Sequence, residues 1–269
     1  MRGPSRASLT EAKERLAALG GRVTASLGDE LFGVTDLLQA QSALRRVLAD
    51  PARAPRARAE LASALLAGKI SEDAVTLVAE AAASRWSLPG DLVDAIEQIA
   101  VLAVVADAER AGTLDDVEDD LFRFGRVVST EPRLRIALSN PFAPAELKDR
   151  LVHSLLDGKV GSQTLTLVTQ AALHPRGRSL DSGLAEYARL AAEQRQRLVA
   201  VARVATDLSP AQRDRLAVAL SRAYGRDVHL NIVLDPEVIG GMSIRVGDEQ
   251  IDGSVASRLA GLRRGGLAA

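Results

Sequence analysis

Apolar residues recur every third or fourth position through most of residues 8–195, the spacing that places them on one face of an α-helix. The clearest case is 91–110, whose broad apolar stripe consists of Leu92, Val93, Ile96, Ile99, Ala103, Val104 and Ala106. Such width predicts a helix buried on much of its circumference. Because no alternation of strand type occurs before about residue 198, the pattern predicts an all-helical first part of the chain.

The pattern changes near residue 198. Residues 197–208 form a short β-branched run that predicts a strand, and 227–234 and 241–246 alternate apolar with polar positions. Between them, "SPAQ" begins a predicted helix, with Ser209 as its cap, Pro210 at its first position and Gln212 at the capping-box position.

The remaining residues complete a small sheet. Gly247 and Asp248 are predicted to turn a hairpin whose short last element is 249–251, and Asp252, Gly253 and Ser254 are predicted to begin a closing helix. The chain is therefore predicted to be mainly α: an N-terminal all-helical bundle at 1–197 and a small α+β domain, β-α-β-β-α, at 198–269.

The helical part contains an internal repeat. Residues 44–82 and 134–172 align without a gap at a separation of 90, and 14 of 39 positions are identical, including a proline, a Gly-Lys pair and "TLV". Each segment predicts a helix that ends before proline, a second helix that ends at Gly68 or Gly158 in the left-handed cap conformation, and a third helix. We interpret this as a duplicated unit of about 90 residues, at about 40–130 and 130–195.

Composition excludes several kinds of function. The net charge of −1 argues against binding to nucleic acid, which needs an excess of basic residues. The absence of cysteine excludes disulfides and thiol chemistry. The longest apolar run, 99–106, is too short to span a bilayer, and the first sixteen residues lack the apolar core of a secretory signal. No direct membrane insertion is expected.

Residues 235–254 concentrate the candidate chemistry. One interpretation is an enzyme site, in which Asp235, Asp252 and His229 form a metal or acid–base cluster while Gly240 and Gly241 hold a phosphate. The other is structural, with Asp-Pro and Gly-Gly as turn residues and Asp-Gly-Ser as a helix cap. The absence of a P-loop pattern favours the second.

Elsewhere the chemistry is sparse. His153 and His174 lack the spacing of a ligand pair. Trp86 is interpreted as a core or interface anchor, and the acidic run 118–120 as the start of a helix. We therefore predict no catalytic residue, no cofactor and no metal.

The order of residues in this last segment closely resembles the C-terminal signature of the delta subunit of F-type ATP synthases, the family that includes the mitochondrial oligomycin-sensitivity-conferring protein. The matching positions are Asp235, Pro236, Ile239, Gly240, Gly241, Ile244, Val246, Gly247, Ile251, Asp252, Gly253, Ser254, Leu259 and Leu262. The chain is longer than ordinary members by roughly one repeat, as in the long form of actinobacteria.

The resemblance implies a non-catalytic stator subunit on the cytoplasmic side of the cell membrane, held there through its complex. The helical domain would bind the N-terminal segments of the alpha subunits, and the C-terminal domain would bind the b subunits of the peripheral stalk. The alternative is an unrelated helical adaptor that binds peptide segments of another complex, although two units are few for a solenoid.

Overall fold

The computed structural model describes residues 3–196, 198–206, 208–224, 228–235, 241–246 and 249–252. The chain divides into two compact units, here called the helical unit, which ends at Gln194, and the C-terminal unit, which begins at Arg195. The predicted fold class, mainly α with a small C-terminal α+β region, is confirmed.

Eleven helices and one 3-10 turn (Gly20–Arg22) build the first part of the chain. The helices are α1 (Gly3–Ala18), α2 (Ala25–Ala40), α3 (Ser42–Leu48), α4 (Pro55–Leu66), α5 (Glu72–Ala83), α6 (Pro89–Ala111), α7 (Leu114–Thr130), α8 (Pro132–Ser139), α9 (Ala145–Leu156), α10 (Ser162–Leu173) and α11 (Leu180–Gln196).

The two similar sequence segments fold alike. Helices α4 and α9 begin and end at positions exactly one repeat apart, as do α5 and α10. Gly68 and Gly158 take left-handed φ values of 72° and 70°, as predicted for the cap positions. The same turn precedes α4 and α9, because the Asp50 and Asn140 side chains each accept a 2.9 Å hydrogen bond from the backbone N–H two residues later.

The structural repeat is longer than the sequence similarity. A shift of 90 residues also relates α2 to α7 and α3 to α8, and it places α1 onto α6 and α6 onto α11. We define the first copy as α1–α6 and the second copy as α6–α11. Helix α6 is thus the last helix of one copy and the first of the other.

This double membership explains the burial of α6. Leu92, Ile96, Ile99 and Ala103 are fully buried, as is Val104 on another side of the same helix. The prediction of a helix buried on much of its circumference is confirmed. Few of its apolar positions remain at the surface because helices from both copies pack around it.

A close helix crossing sets part of this packing. Helix α2 packs extensively on α6, and Gly28 lies at the contact, where a Cβ would come 2.5 Å from Val104 Cγ2 and 3.1 Å from the Ala100 carbonyl oxygen. Only a glycine lets the two backbones approach this closely.

In its described residues, the C-terminal unit contains a four-stranded sheet of order β2-β1-β3-β4 and one helix. Its elements are β1 (Leu198–Val204), α12 (Pro210–Tyr224), β2 (Val228–Leu234), β3 (Met242–Val246) and β4 (Glu249–Asp252). Strand β1 is parallel to β2, with α12 as the crossover, and antiparallel to β3. A separate small core contains Ala202, Leu220, Val228 and Ile244.

The predicted capping box of α12 is confirmed. The Ser209 backbone N–H donates to Gln212 Oε1 at 2.8 Å, and the Gln212 backbone N–H donates to Ser209 Oγ at 3.4 Å. The sequence also predicts that Gly225 stops this helix, and that residue lies outside the described residues.

Two boundaries differ from the sequence prediction. Helix α7 begins at Leu114, so Asp115 and Asp116 occupy its first turn and the acidic run 118–120 lies in the second. Asp252 is the last residue of β4, opposite Ser243 on β3. The closing helix predicted after it lies outside the described residues.

Candidate functional site

Three residues of the C-terminal signature lie at the same end of the sheet. Asp235 follows the end of β2, Gly241 precedes the start of β3, and Asp252 ends β4. Gly241 has a φ of 79°, which fits the predicted role of this glycine in relieving backbone strain. Of the other signature residues, Ile244 and Val246 lie in β3 and Ile251 lies in β4. Outside the described residues lie Pro236, Ile239, Gly240, Gly247, Gly253, Ser254, Leu259 and Leu262.

The geometry does not assemble the enzyme cluster. Asp235 directly follows one edge strand, β2, and Asp252 ends the other, β4, so the four-stranded sheet separates the two residues by about 14 Å, or three strand spacings. His229 lies near the other end of β2, six residues and about 20 Å from Asp235. A metal ion or a shared proton cannot join groups at such separations.

Asp235 has structural partners instead. Its backbone N–H donates to the Val204 carbonyl at 3.0 Å, which continues the β1–β2 pairing by one residue. Its carboxylate lies 3.7 Å from the Arg203 guanidinium. These contacts fit the interpretation of Asp235 as a residue that ends a strand.

Each of the two histidines of the helical unit lies beside an aspartate carboxylate. His153 Nδ1 lies 2.9 Å from Asp157 Oδ1, and His174 Nδ1 lies 2.9 Å from Asp36 Oδ1. Within the described ranges, no group of three or more His, Asp and Glu side chains could hold a metal ion. Among the same residues, no helix is long and apolar enough to cross a membrane.

Trp86 is a core anchor, as predicted. It is almost completely buried, and its indole Nε1 donates to the Ala81 carbonyl at 2.7 Å. It also lines an open groove of about 450 Å³ between α3 and the start of α6, together with Val47, Pro51 and Pro89.

A buried charge cluster in the second copy escaped the sequence analysis. The Glu97 carboxylate on α6 is 2% exposed and accepts hydrogen bonds from Arg176 at 2.5 Å, from Arg178 and from the Tyr187 hydroxyl at 2.7 Å. Arg176 also contacts Asp94. The cluster ties the α10–α11 connection and α11 to the central helix.

The cluster raises the pKa of two of its members. Burial raises the pKa of the Tyr187 hydroxyl, and the neighbouring Glu97 carboxylate raises it further. Burial alone would lower the pKa of Arg178, but the attraction of Glu97 outweighs it and the pKa is raised. The tyrosine therefore stays a neutral donor and the arginine a cation, as the hydrogen bonds require.

Arg58 is a second residue that the sequence analysis missed. It is 4% exposed, and its guanidinium donates to the carbonyls of Ala82, Ala83 and Ser84 at the end of α5. Basic groups at this position satisfy the free carbonyls of a helix terminus. The equivalent position of the second copy is Lys148, which is also buried. A basic residue at the same position of both copies was therefore the feature of the sequence that could have indicated this role.

The surfaces of the two copies differ around α8 and the start of α9. Phe142, Ile136 and Leu147 are exposed there by 91%, 68% and 53%. The equivalent first-copy residues are Ala52, Arg46 and Ala57. We call Ile136, Phe142 and Leu147, with the neighbouring Arg133, Arg135 and Arg150, the α8–α9 corner.

Fold and surface together define a two-unit protein with a helical repeat and without a catalytic constellation in its described part. The family model described as ATP synthase delta (OSCP) subunit matches residues 101–265, well over half of the chain. The chain belongs to this family. The residues before the match, 1–100, are slightly more than one repeat of about 90 residues.

Similar proteins span the same length. The chain is 52% identical to ATP synthase subunit delta of Thermobifida fusca, with 98% of each chain covered, and 51% identical to that of Streptomyces avermitilis, with 97% of each covered. A chain in a cryo-EM structure of the Toxoplasma gondii mitochondrial ATP synthase hexamer is 20% identical, with 63% of this chain and 96% of that chain covered; its TM-score of 0.29 is too low to support an argument.

Proposed function

We propose that this protein is the non-catalytic stator subunit of an F-type ATP synthase, where it supports proton-driven ATP synthesis. The helical unit would bind N-terminal segments of the alpha subunits, and the C-terminal unit would bind the b subunits of the peripheral stalk. The observation that carries the proposal is the similarity to ATP synthase delta subunits over 98% of both chains.

The two-unit structure supports a division of labour. Each unit has its own hydrophobic core, so each can present a surface without depending on the other for its fold. A stator must resist torque without exchanging partners, which favours several broad interfaces over one small site. Such a subunit would lie at the cytoplasmic side of the cell membrane through its partners.

Co-purification tests the proposal. The full chain should bring down both the alpha and the b chains of its ATP synthase. A variant that lacks residues 198–269 should retain alpha and lose b, with its helical circular dichroism as the control for folding. Retention of b by the truncated chain would overturn the division of labour, and failure of the full chain to bind either partner would overturn the function.

The same proposal predicts no catalysis. Because Asp235, Asp252 and His229 are far apart, the full chain should show no saturable binding of nucleotides or divalent cations in calorimetry. Micromolar binding of either would instead favour an enzyme. The helical-adaptor alternative predicts capture of peptides from another complex and no enrichment of alpha or b.

A further inference from the structure

We propose that the free edge of strand β2 is the contact surface of a two-fold homodimer, in which the β2 strands of two copies pair antiparallel and join their sheets. The occupant of this edge is therefore a second copy of the chain. The inference concerns the C-terminal unit and does not rest on the proposed function. Three observations support it: the order of the sheet, the direction of the backbone groups of β2, and the residues that the pairing brings together.

Strand β2 lies at an edge of the sheet. In the order β2-β1-β3-β4 it pairs with β1 on one side, and no described strand pairs with its other side. A strand with a free row of backbone N–H and C=O groups is a template for the pairing of another strand. The longer such a row is, the more hydrogen bonds an added strand can form.

Hydrogen bonds at the two ends of β2 define which backbone groups face the free side. The Asp235 N–H donates to the Val204 carbonyl on β1 at 3.0 Å, whereas the Val228 N–H donates to Ser221 Oγ at 3.0 Å. The register with β1 is continuous along the whole strand, so the direction of the backbone groups alternates without a break. The residues whose N–H and C=O groups point to the free side are therefore Leu230, Ile232 and Leu234.

The sequence of β2 lacks the features that protect edge strands. Residues 228–234 include no Lys, Arg, Asp, Glu, Pro or Gly, and their pairing with β1 has no bulge. The other edge strand, β4, has four residues, of which Glu249 and Asp252 are acidic, so paired β4 strands would bring like charges together. A contact that uses the same edge of both copies closes at two chains, which predicts a dimer rather than a fibre.

Antiparallel pairing about a two-fold axis at Ile232 uses all of the free backbone groups. Leu230 then lies opposite Leu234 of the second copy, and Ile232 lies opposite its own counterpart. Each such pair of residues exchanges two N–H···O=C bonds, so three pairs supply about six hydrogen bonds. These bonds would satisfy groups that the isolated chain leaves to solvent.

The same register pairs two residues that a single chain keeps apart. His229 and Asp235 are six residues apart, near opposite ends of β2. Across the two-fold axis, position 229 of each copy lies opposite position 235 of the other, so a histidine faces an aspartate at both ends of the strand pair. Opposite charges directly across two strands are stabilising. This complementarity selects the axis at Ile232, because an axis at Asn231 would place position 229 opposite Val233.

An apolar side chain at this edge is open to solvent. Val233 is 44% exposed and points to the face of the sheet opposite that of Val228, which belongs to the small core. In the dimer, Val233 lies opposite Asn231 of the second copy, and pairing covers part of its surface. A single strand pair is a small interface, so the dimer should be weak and should form in the free chain as its concentration rises.

Analytical ultracentrifugation of the full chain over a range of concentrations tests the proposal. The wild type should show a reversible equilibrium between monomer and dimer. Val233→Lys adds a charge to the free edge and should raise the dissociation constant of the dimer by about tenfold or more. The matched control is Val127→Lys on α7, where the valine is 46% exposed and the added charge is the same, and it should leave the constant unchanged.

A second variant removes a backbone donor from the free edge. The Ile232 N–H points away from β1, so Ile232→Pro removes this donor without removing a hydrogen bond between β1 and β2. It should also raise the dissociation constant by about tenfold or more, because each copy loses a donor at the centre of the strand pair. Circular dichroism and the thermal midpoint of each variant report on its folding.

Cross-linking tests the register, because the chain contains no cysteine of its own. Asn231→Cys and Val233→Cys are prepared separately, mixed, and treated with oxidised glutathione. With the axis at Ile232 these two positions lie directly opposite each other, within disulfide distance, so the mixture should give a covalent dimer and neither variant alone should give one. A covalent dimer from Asn231→Cys alone would place the axis at Asn231 and overturn the register.

Other results would overturn the dimer itself. They are a wild type that stays monomeric at every concentration, a dissociation constant that Val233→Lys leaves unchanged, and assembly that continues beyond two chains. Capture of alpha and b is measured separately on the same variants. Its failure would reject the proposed function without affecting the dimer, and loss of the dimer would leave the proposed function standing.

Discussion

At the scale of single residues, the helical unit depends on a few buried charges that resemble surface residues in the sequence. Arg58 and Glu97 are almost fully buried, and each satisfies several partners at once. A buried charge that loses its partners costs several kcal/mol, whereas an exposed ion pair contributes about 0–1 kcal/mol. Substitutions of the same chemical type should therefore have very different effects at buried and exposed positions.

Replacing Arg58 with methionine should lower the free energy of unfolding by roughly 3 kcal/mol, because the carbonyls of Ala82, Ala83 and Ser84 lose a charged donor. Chemical denaturation with circular dichroism measures the change. Arg56→Met is the matched control: Arg56 is 90% exposed and pairs only with Glu60, so little change is expected. Equal effects of the two substitutions would contradict the role assigned to Arg58.

Replacing Glu97 with glutamine should cost about 3–5 kcal/mol, because Arg176 and Arg178 would lose the carboxylate that balances their charge. Thermal unfolding should show a lower midpoint. The control is Glu193→Gln, which removes one exposed partner of Arg189 and should change the midpoint little. A Glu97→Gln variant as stable as the wild type would show that the cluster is not what holds α11 on α6.

At the scale of elements, the close crossing of α2 and α6 means that the same substitution should have opposite effects on stability at two glycines of α2. Gly28→Ala should destabilise the chain by about 1–3 kcal/mol, because a Cβ would collide with Val104 and the Ala100 carbonyl. On the same helix, a Cβ added at Gly33 would meet no neighbouring atom within 4 Å. Gly33→Ala should therefore stabilise the chain by about 0.5–1 kcal/mol, because alanine has the higher helix propensity. Denaturant midpoints of the two variants should move in opposite directions, and a shift of the same sign would count against this packing.

Elements set by local chemistry could be predicted from the sequence. The capping box of Ser209 and Gln212, the left-handed Gly68 and Gly158 and the broad stripe of α6 depend on residues within one or two turns of each other. Contacts between distant residues could not be predicted. Nothing near Gly28 indicates that Val104 lies against it, and nothing near Glu97 indicates Tyr187, 90 residues away.

The exposure of apolar side chains could not be predicted either, because it depends on tertiary packing. Phe32 on α2 and Phe122 on α7 occupy equivalent positions one repeat apart, yet they are 4% and 64% exposed. The apolar pattern of the two helices is the same in sequence. The repeat itself was visible between 44 and 172, but its extension to α2, α6, α7 and α11 shows only in the boundaries of the helices.

At the scale of the whole molecule, the two units have separate cores. A chain that lacks residues 198–269 should therefore keep its helical signal, and Gly28→Ala should lower its thermal midpoint by the same amount as in the full chain. Differential scanning calorimetry of the full and truncated chains, each with and without Gly28→Ala, measures the two shifts. A truncated chain that loses its cooperative transition would show that the helical unit depends on the C-terminal unit.

The shared helix α6 has a mechanical consequence. If a loop joined the two copies, the chain would bend at that loop under load. It would then be more compliant than a chain with a single copy. Here the joint is a continuous helix of 23 residues, about 35 Å long, clamped by helices on several sides. Because the two copies share this helix, no loop forms a hinge between them, and a load applied across both copies would be carried by the helix rather than by a flexible joint.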